Sequence, residues 1–291
     1  MSEDPLLENP VLEDPLLSVR GLRIRSGGNR ERAIVDSISF DVGFERVALV
    51  GESGAGKSLT ARALMGLVGP PLEVSADRLR FEGEDLRALT PERWARLRGE
   101  RMSLVFQDAR YALNPVLPIG RQLEEMVSLH GRVSAGERRR RVHELLESVG
   151  LGDPRLSRRY PHQLSGGMGQ RAMLAMMLIN GPRLLIADEP TSALDAALRG
   201  QMLDLLCESV RIRGMGLLLI SHDLHQVVRY CQRVLVMYRG RIVDGGPAAD
   251  LAKSTHPYTR ALWDCVPSGR THGGELPVFD GGDGTASTSP S

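Results

Sequence analysis

Residues 51 to 58, in order Gly51, Glu52, Ser53, Gly54, Ala55, Gly56, Lys57 and Ser58, match the pattern G-x-x-x-x-G-K-[ST]. Glycines at this spacing let the backbone curl tightly, so that successive N–H groups converge on one point. Such a nest beside the positive end of a helix holds an anion, and phosphate fits it well. The apolar run 47–50 precedes the loop and a helical pattern through Ser58 and Leu59 follows it, the strand–loop–helix setting that the motif requires. In that setting the stretch Gly51–Leu59 is a candidate nucleotide cradle. Lys57 would bridge the β- and γ-phosphates and the Ser58 hydroxyl would hold Mg²⁺. The chain has only two lysines, and the other, Lys253, lies near its far end.

A second apolar run, 184–187, ends in adjacent acids, Asp188 and Glu189, followed by Pro190. An acid at a strand end beside the phosphate loop holds Mg²⁺, usually through water, and Asp188 takes that place. Glu189 carries a second carboxylate toward the γ-phosphate, where it could polarise an attacking water. Without the upstream loop, such a pair reads equally well as a solvated turn. With it, the residues predict a P-loop NTPase that uses Mg²⁺.

Leu164, Ser165, Gly166, Gly167 and Met168, followed by Gln170, Arg171 and a helical run, form another small-residue turn feeding a helix N-terminus. Here the sequence resembles the ABC transporter ATPase family, whose signature loop has this form. The resemblance implies ATP sandwiched between two subunits, with Ser165, Gly166 and Gly167 of one covering the γ-phosphate held by the other. Phe106, Gln107 and Asp108 resemble the Q-loop, which implies that Gln107 lies near Mg²⁺ and the attacking water. The stretch from Ser192 to Asp195 resembles the D-loop along the dimer interface. Ser221, His222 and Asp223 resemble the switch region, with His222 on the γ-phosphate. Together these matches span roughly residues 16–265.

A narrower resemblance is to the peptide and nickel importer branch. It rests on Ala112, Leu113, Asn114 and Pro115, with Ile119, Gly120 and Gln122 after them, and on His256, Pro257, Tyr258 and Thr259 leading to Leu262. Three departures stand out. Gly169 occupies a position where the family carries a long polar residue, which should weaken that helix's first turn by up to about 1 kcal/mol. Leu22–Ile34 contains no aromatic residue to stack on adenine. Only Cys265 stands where some members of the branch carry a cysteine cluster, so no iron–sulfur site is expected.

The elements that must position these residues alternate between strand and helix. Leu17–Ile24, Ala33–Val42, Arg46–Val50, Leu104–Phe106, Leu184–Ala187, Gly216–Ile220 and Val234–Tyr238 read as strands, several of them continuous apolar runs suited to a sheet covered on both faces. Ser58–Leu67, Gly200–Arg211 and His222–Tyr230 read as helices. Ile119–Gly150 reads as helical, with Val142, Leu145, Leu146 and Val149 on one face and Arg138–Arg141 on a solvated one. The expected fold is an α/β P-loop NTPase core of the ABC-ATPase type, with an N-terminal antiparallel β subdomain and an inserted helical subdomain at about 108–163. The expected domain is 16–265, after a flexible extension, 1–15, and before a disordered tail, 266–291, rich in Gly, Ser and Thr. The string EDPLL occurs twice, at 3–7 and 13–17.

Composition narrows the partners. With 291 residues, 42% hydrophobic and 25% charged, the chain can bury a sizeable core, and a net charge of +1 gives no support for a nucleic-acid partner. Three widely spaced cysteines build no disulfide framework. The start is acidic and lacks the pattern of a secretory signal. No apolar stretch approaches the roughly 18–20 residues that cross a bilayer. The resemblance implies a peripheral subunit on the cytoplasmic face of the inner membrane, paired with a copy of itself or a sibling. Separate transmembrane permease subunits would carry the cargo, a peptide or small metal complex delivered by an extracytoplasmic binding protein. Two other readings compete, an exporter subunit and a soluble ABC-type ATPase acting on nucleic acid or ribosomes. A single cassette with a short insertion disfavours the second. The full set Lys57, Ser58, Gln107, Asp188, Glu189 and His222 disfavours an inactive cassette.

Overall fold

The computed structural model describes residues 15–27, 32–129, 131 and 133–265. Along them run β1 (Leu17–Ser26), β2 (Arg32–Val42), β3 (Arg46–Val50), α1 (Lys57–Leu64), β4 (Leu72–Ser75), β5 (Arg78–Phe81) and β6 (Glu84–Asp85). Next come α2 (Pro91–Glu100), β7 (Met102–Val105), α3 (Ile119–Leu129), α4 (Ala135–Ser148), α5 (Gly166–Leu178) and β8 (Leu184–Asp188). The chain continues through α6 (Ala196–Arg213), β9 (Gly216–Ser221), α7 (Leu224–Tyr230), β10 (Arg233–Tyr238), β11 (Arg241–Pro247) and α8 (Pro257–Asp264).

The continuous apolar runs pair as parallel strands. The central sheet has the order β11-β10-β3-β9-β8-β7, and only β11, on the edge, runs antiparallel. Successive residues of the parallel strands serve opposite faces, which is why their interiors are apolar except for the buried Ser103 of β7. Ala48, Val50, Ala187 and Leu219 join a core with Met173 of α5, Leu203 of α6 and Val227 of α7. Val47, Leu49, Ile186 and Leu218 join a second core with Ala61 and Leu64 of α1 and with β1 and β2.

The second sheet, β2-β1-β5-β6 with β4 also on β1, is antiparallel throughout, as the N-terminal β subdomain was expected to be. Sequence reading finds β1 and β2 but not the three short strands, and the reason is physical. β4 has no buried residue, β6 is two residues long, and β5 alternates arginine with its two buried side chains, Leu79 and Phe81. Likewise α2 buries only Leu97 and so presents no apolar stripe.

Several expected boundaries shift because caps decide them. The helix read as His222–Tyr230 starts at Leu224, since the Asp223 carboxylate accepts from the Gln226 N–H and makes Asp223 the cap. Asp195 caps α6 in the same way, so that the helix starts at Ala196, four residues before the expected start at Gly200. The helix read as Ser58–Leu67 ends at Leu64, where the N–H groups of Met65, Gly66 and Leu67 fold back onto its last carbonyls. The strand read as Leu104–Phe106 runs from Met102 to Val105.

Between 108 and 163 every regular element among the described residues is helical, α3 and α4 with short 3₁₀ turns. Val142, Leu145, Leu146 and Val149 are buried as their spacing requires, while Arg140 and Arg141 pair with Glu137 and Glu144 at the surface. The extension 1–15, except Pro15, and the tail 266–291 lie outside the described residues. Leu16 and Leu17 of the second EDPLL copy are buried at the start of β1, and the first copy lies outside. Among the described residues no helix is long and apolar enough to cross a membrane.

Candidate functional site

Three neighbouring parallel strands set the site. In their register Val50 of β3 lies opposite Ser221 of β9, and Ile220 of β9 lies opposite Asp188 of β8. Gly51, His222 and Glu189, each one residue further on, therefore emerge along one edge of the sheet. This is the carboxyl edge, where open α/β sheets bind ligands.

The loop after β3 is held in shape by its surroundings. Gly51 has φ 152°, and a Cβ there would lie 2.1 Å from the Met237 carbonyl oxygen, so only glycine fits. Gly56 caps α1 with φ 106°, and its carbonyl accepts from the Thr60 hydroxyl at 2.9 Å. From the β10–β11 turn, the Gly240 N–H donates to the Ala55 carbonyl at 3.1 Å. The Lys57 side chain folds back over the loop and donates to the Gly51 and Glu52 carbonyls, both at 2.8 Å. Lys57 is only 5% exposed. Burial pushes its pKa down, and the neighbouring carboxylates of Glu189, Asp188 and Glu52 act against that.

Ser58, the second residue of α1, donates its hydroxyl proton to Asp188 Oδ1 at 2.8 Å. Burial raises the Asp188 pKa, with the Ser58 hydrogen bond acting the other way. A half-buried carboxylate and a hydroxyl side by side are hard oxygen donors of the kind Mg²⁺ selects. Two protein oxygens suit a Mg²⁺ ion whose other ligands are phosphates and waters. No cluster of three or more His, Cys, Asp or Glu that could hold a metal occurs among the described residues.

Glu189 has φ 46°, a left-handed conformation rare for a non-glycine residue, and its N–H is clamped to the Ile220 carbonyl at 3.0 Å. The turn aims its carboxylate at His222, whose Nδ1 lies 3.4 Å from Glu189 Oε1. His222 itself is exposed, its side chain retaining 61% of its accessible surface.

Other expected residues stand apart. Gln107 lies two residues beyond β7; its side chain is exposed and makes no hydrogen bond to Ser58 or Asp188. Ser165 caps α5, its Oγ accepting from the Met168 N–H at 3.3 Å. Ser165 and Gly166 are exposed, and no hydrogen bond joins Ser165, Gly166 or Gly167 to the 51–58 loop among the described residues. One chain thus unites Gly51, Lys57, Ser58, Asp188, Glu189 and His222 and leaves the second turn facing outward. Of the Leu22–Ile34 stretch, residues 28–31 lie outside the described set.

The family model described as "ABC transporter" matches residues 35–192, more than half of the chain. The chain belongs to the ABC transporter family. It is 44% identical over 237 residues to the dipeptide transport ATP-binding protein DppD of Escherichia coli (strain K12), covering 80% of this chain and 72% of that one. To the oligopeptide transport ATP-binding protein OppD of Lactococcus lactis subsp. cremoris (strain SK11) it is 40% identical over 260 residues, 88% of this chain and 77% of that one. Among solved structures, cbiO1 from Clostridium perfringens, part of the ABC transporter complex cbiONQ, aligns with TM-score 0.72 and 26% identity over 83% of this chain and 92% of that one. This ABC cassette therefore binds nucleotide and hydrolyses ATP as the ATP-binding subunit of a transporter.

Two residues of the cassette carry more than their sequence context suggests. Gln170 is 1% exposed. Its amide donates to the Pro190 carbonyl at 2.6 Å and to the Gln107 carbonyl at 3.3 Å, and its Oε1 accepts from the Ala109 N–H at 3.3 Å. It ties α5, directly behind the signature turn, to the residue after Glu189 and to the backbone of Gln107. The only signal for this in the sequence is one amide side chain at the start of an apolar helix. Tyr258 is the other: its hydroxyl accepts from the Glu52 N–H at 3.0 Å.

Proposed function

We propose that this subunit powers peptide import, closing as one half of an ATP-bound dimer on the cytoplasmic face of the inner membrane. The observation that carries the catalytic part is the strand register that brings Lys57, Ser58, Asp188, Glu189 and His222 to one edge. Gly51–Leu59 cradle the phosphates, and Lys57 leaves its carbonyl partners for the β- and γ-oxygens. Ser58 and Asp188, with Gln107, would hold Mg²⁺, which would neutralise charge on the phosphates. Glu189 takes a proton from a water whose oxygen bonds to the γ-phosphorus as the bond from that phosphorus to the ADP oxygen breaks, while His222 steadies the γ-phosphate.

Ser165, Gly166 and Gly167 of a second ATP-binding subunit complete the site, which accounts for an outward-facing turn with nothing to bind in its own chain. The helical segment at about 108–163, within a domain at 16–265, passes closure to permease subunits. A peptide cargo handed on by an extracytoplasmic binding protein is supported by the relatives named for dipeptide and oligopeptide transport.

Light scattering of Glu189→Gln with Mg-ATP and with Mg-ADP tests the core of this reading. A dimer formed only with ATP is expected; a monomer saturated with ATP would end the homodimer and call for a sibling subunit. For the cargo, uptake of a labelled dipeptide by cells should be lost with Lys57→Ala, and unchanged uptake would remove the peptide assignment.

A further inference from the structure

Helix α8, the last among the described residues, touches the phosphate loop. Tyr258, 3% exposed, presents its hydroxyl to the Glu52 N–H at 3.0 Å, across 206 residues of sequence. Its ring packs on Tyr238, the last residue of β10, at 4.2 Å between centroids. The helix around it is fastened. Thr259, 1% exposed, and Ser254 both donate to Asp244 Oδ2 on β11. At the far end Trp263 meets His225 of α7 edge to face at 5.5 Å.

We propose that Tyr258 is a positioning residue for nucleotide binding, its hydroxyl holding the Gly51–Glu52 turn in the form that receives phosphate. The inference rests on the nucleotide reading of that loop. Its logic lies in the Gly51–Glu52 peptide, which is held at both ends: Lys57 donates to the Gly51 carbonyl and the Tyr258 hydroxyl accepts from the Glu52 N–H. Lys57 must release that carbonyl to reach a phosphate. The Tyr258 hydrogen bond is then the side-chain tie that stays. Losing it costs more in the bound state than in the free one, so affinity falls before stability does. Glu52 is exposed, so water replaces part of the lost bond and keeps the effect moderate.

Tyr258→Phe removes one oxygen and leaves the ring on Tyr238. With the full chain, a fluorescent ATP analogue and a fluorescent ADP analogue are titrated, ATPase kinetics are recorded, and melting is followed without nucleotide. The expected result is about three- to tenfold weaker binding of both nucleotides. KM should rise by the same factor while kcat stays within twofold, and the nucleotide-free Tm should move by no more than about 2 °C. Unchanged affinity, with or without a lower Tm, overturns the proposal and leaves the hydroxyl a packing detail. Trp263→Leu serves as control, because it loosens the other end of α8 and spares the hydroxyl. If it weakens binding as much as Tyr258→Phe, helix docking in general is responsible and the assignment to Tyr258 fails. A wild-type chain that binds neither nucleotide would instead remove the phosphate-loop reading itself.

Discussion

Two turns in this molecule lead into helices with free N–H groups, and they are built in opposite ways. The loop at 51–58 is braced: β10, the β10–β11 turn and α8 all touch it, and Gly51 has no room for a Cβ beside the Met237 carbonyl. The turn at 165–167 is open. A Cβ on Gly166 would meet no heavy atom within 4 Å, and one on Gly167 would meet only the Leu198 side chain. The chain's own fold demands the first glycine and is indifferent to the second. Open space alone does not set Gly166 apart, since Gly136 and Gly200 share it; its place in the exposed turn that Ser165 caps is what suits it to the second subunit proposed above.

The largest expected effect tests the braced half. Glu189→Gln should lower kcat by about 10²–10⁴ while leaving ATP affinity within a few-fold, because only the proton acceptor is lost. If ATP affinity collapses with it, Glu189 is part of the cradle rather than the water site. Next, Gly51→Ala should destabilise the chain by about 2–4 kcal/mol through backbone strain and a clash with fixed backbone, and should abolish ATP binding. Gly166→Ala is its counterpart. Chemical denaturation should place it within about 0.5 kcal/mol of wild type, with normal ATP binding by the single chain, yet ATPase activity should fall at least tenfold. Equal loss of stability in both variants would erase the contrast.

Smaller effects sharpen it. Asp188→Asn removes a carboxylate whose charged form burial disfavours, and keeps an oxygen for the Ser58 hydroxyl. The nucleotide-free chain should become more stable, seen as a higher Tm near neutral pH, and should lose most of the further rise that Mg-ATP gives wild type. The sign follows from the direction of the shift: a carboxyl with a raised folded pKa loses stability as pH climbs through that pKa, so removing its charge helps above it. The smallest change is Gly169→Ala. A Cβ there meets only Ala109 at an ordinary 3.7 Å, so α5 should gain about 0.5–1 kcal/mol with ATP binding unchanged.

What could be read from the sequence follows the same division. The phosphate loop is eight consecutive letters, and the acids are two adjacent ones after an apolar run, so both were legible. That Glu189 and His222 meet was legible only as chain order; the meeting itself depends on the β8–β9 register, which no local pattern records. Gln170 and Tyr258 were not legible as parts of the site for another reason. Their partners there are main-chain groups of Gln107, Ala109, Pro190 and Glu52, and every residue type but proline offers the same N–H and C=O. Motif reading sees side chains that touch ligand, and misses side chains that hold the backbone that touches it. The short strands β4–β6 fall in the same blind spot, because a strand of two to four residues has no period to detect.

The scarcity of lysine has a practical consequence for anyone labelling this protein. An amine-directed reagent finds two side-chain targets, Lys253, exposed and paired with Asp250, and Lys57, which is sealed inside the phosphate loop with its pKa lowered by burial. Random acylation of the surface would therefore leave the arginine-rich exterior untouched. A nucleotide carrying an amine-selective electrophile on its terminal phosphate would have one lysine beside it, and peptide mapping of the Lys57 adduct would report occupancy of the site.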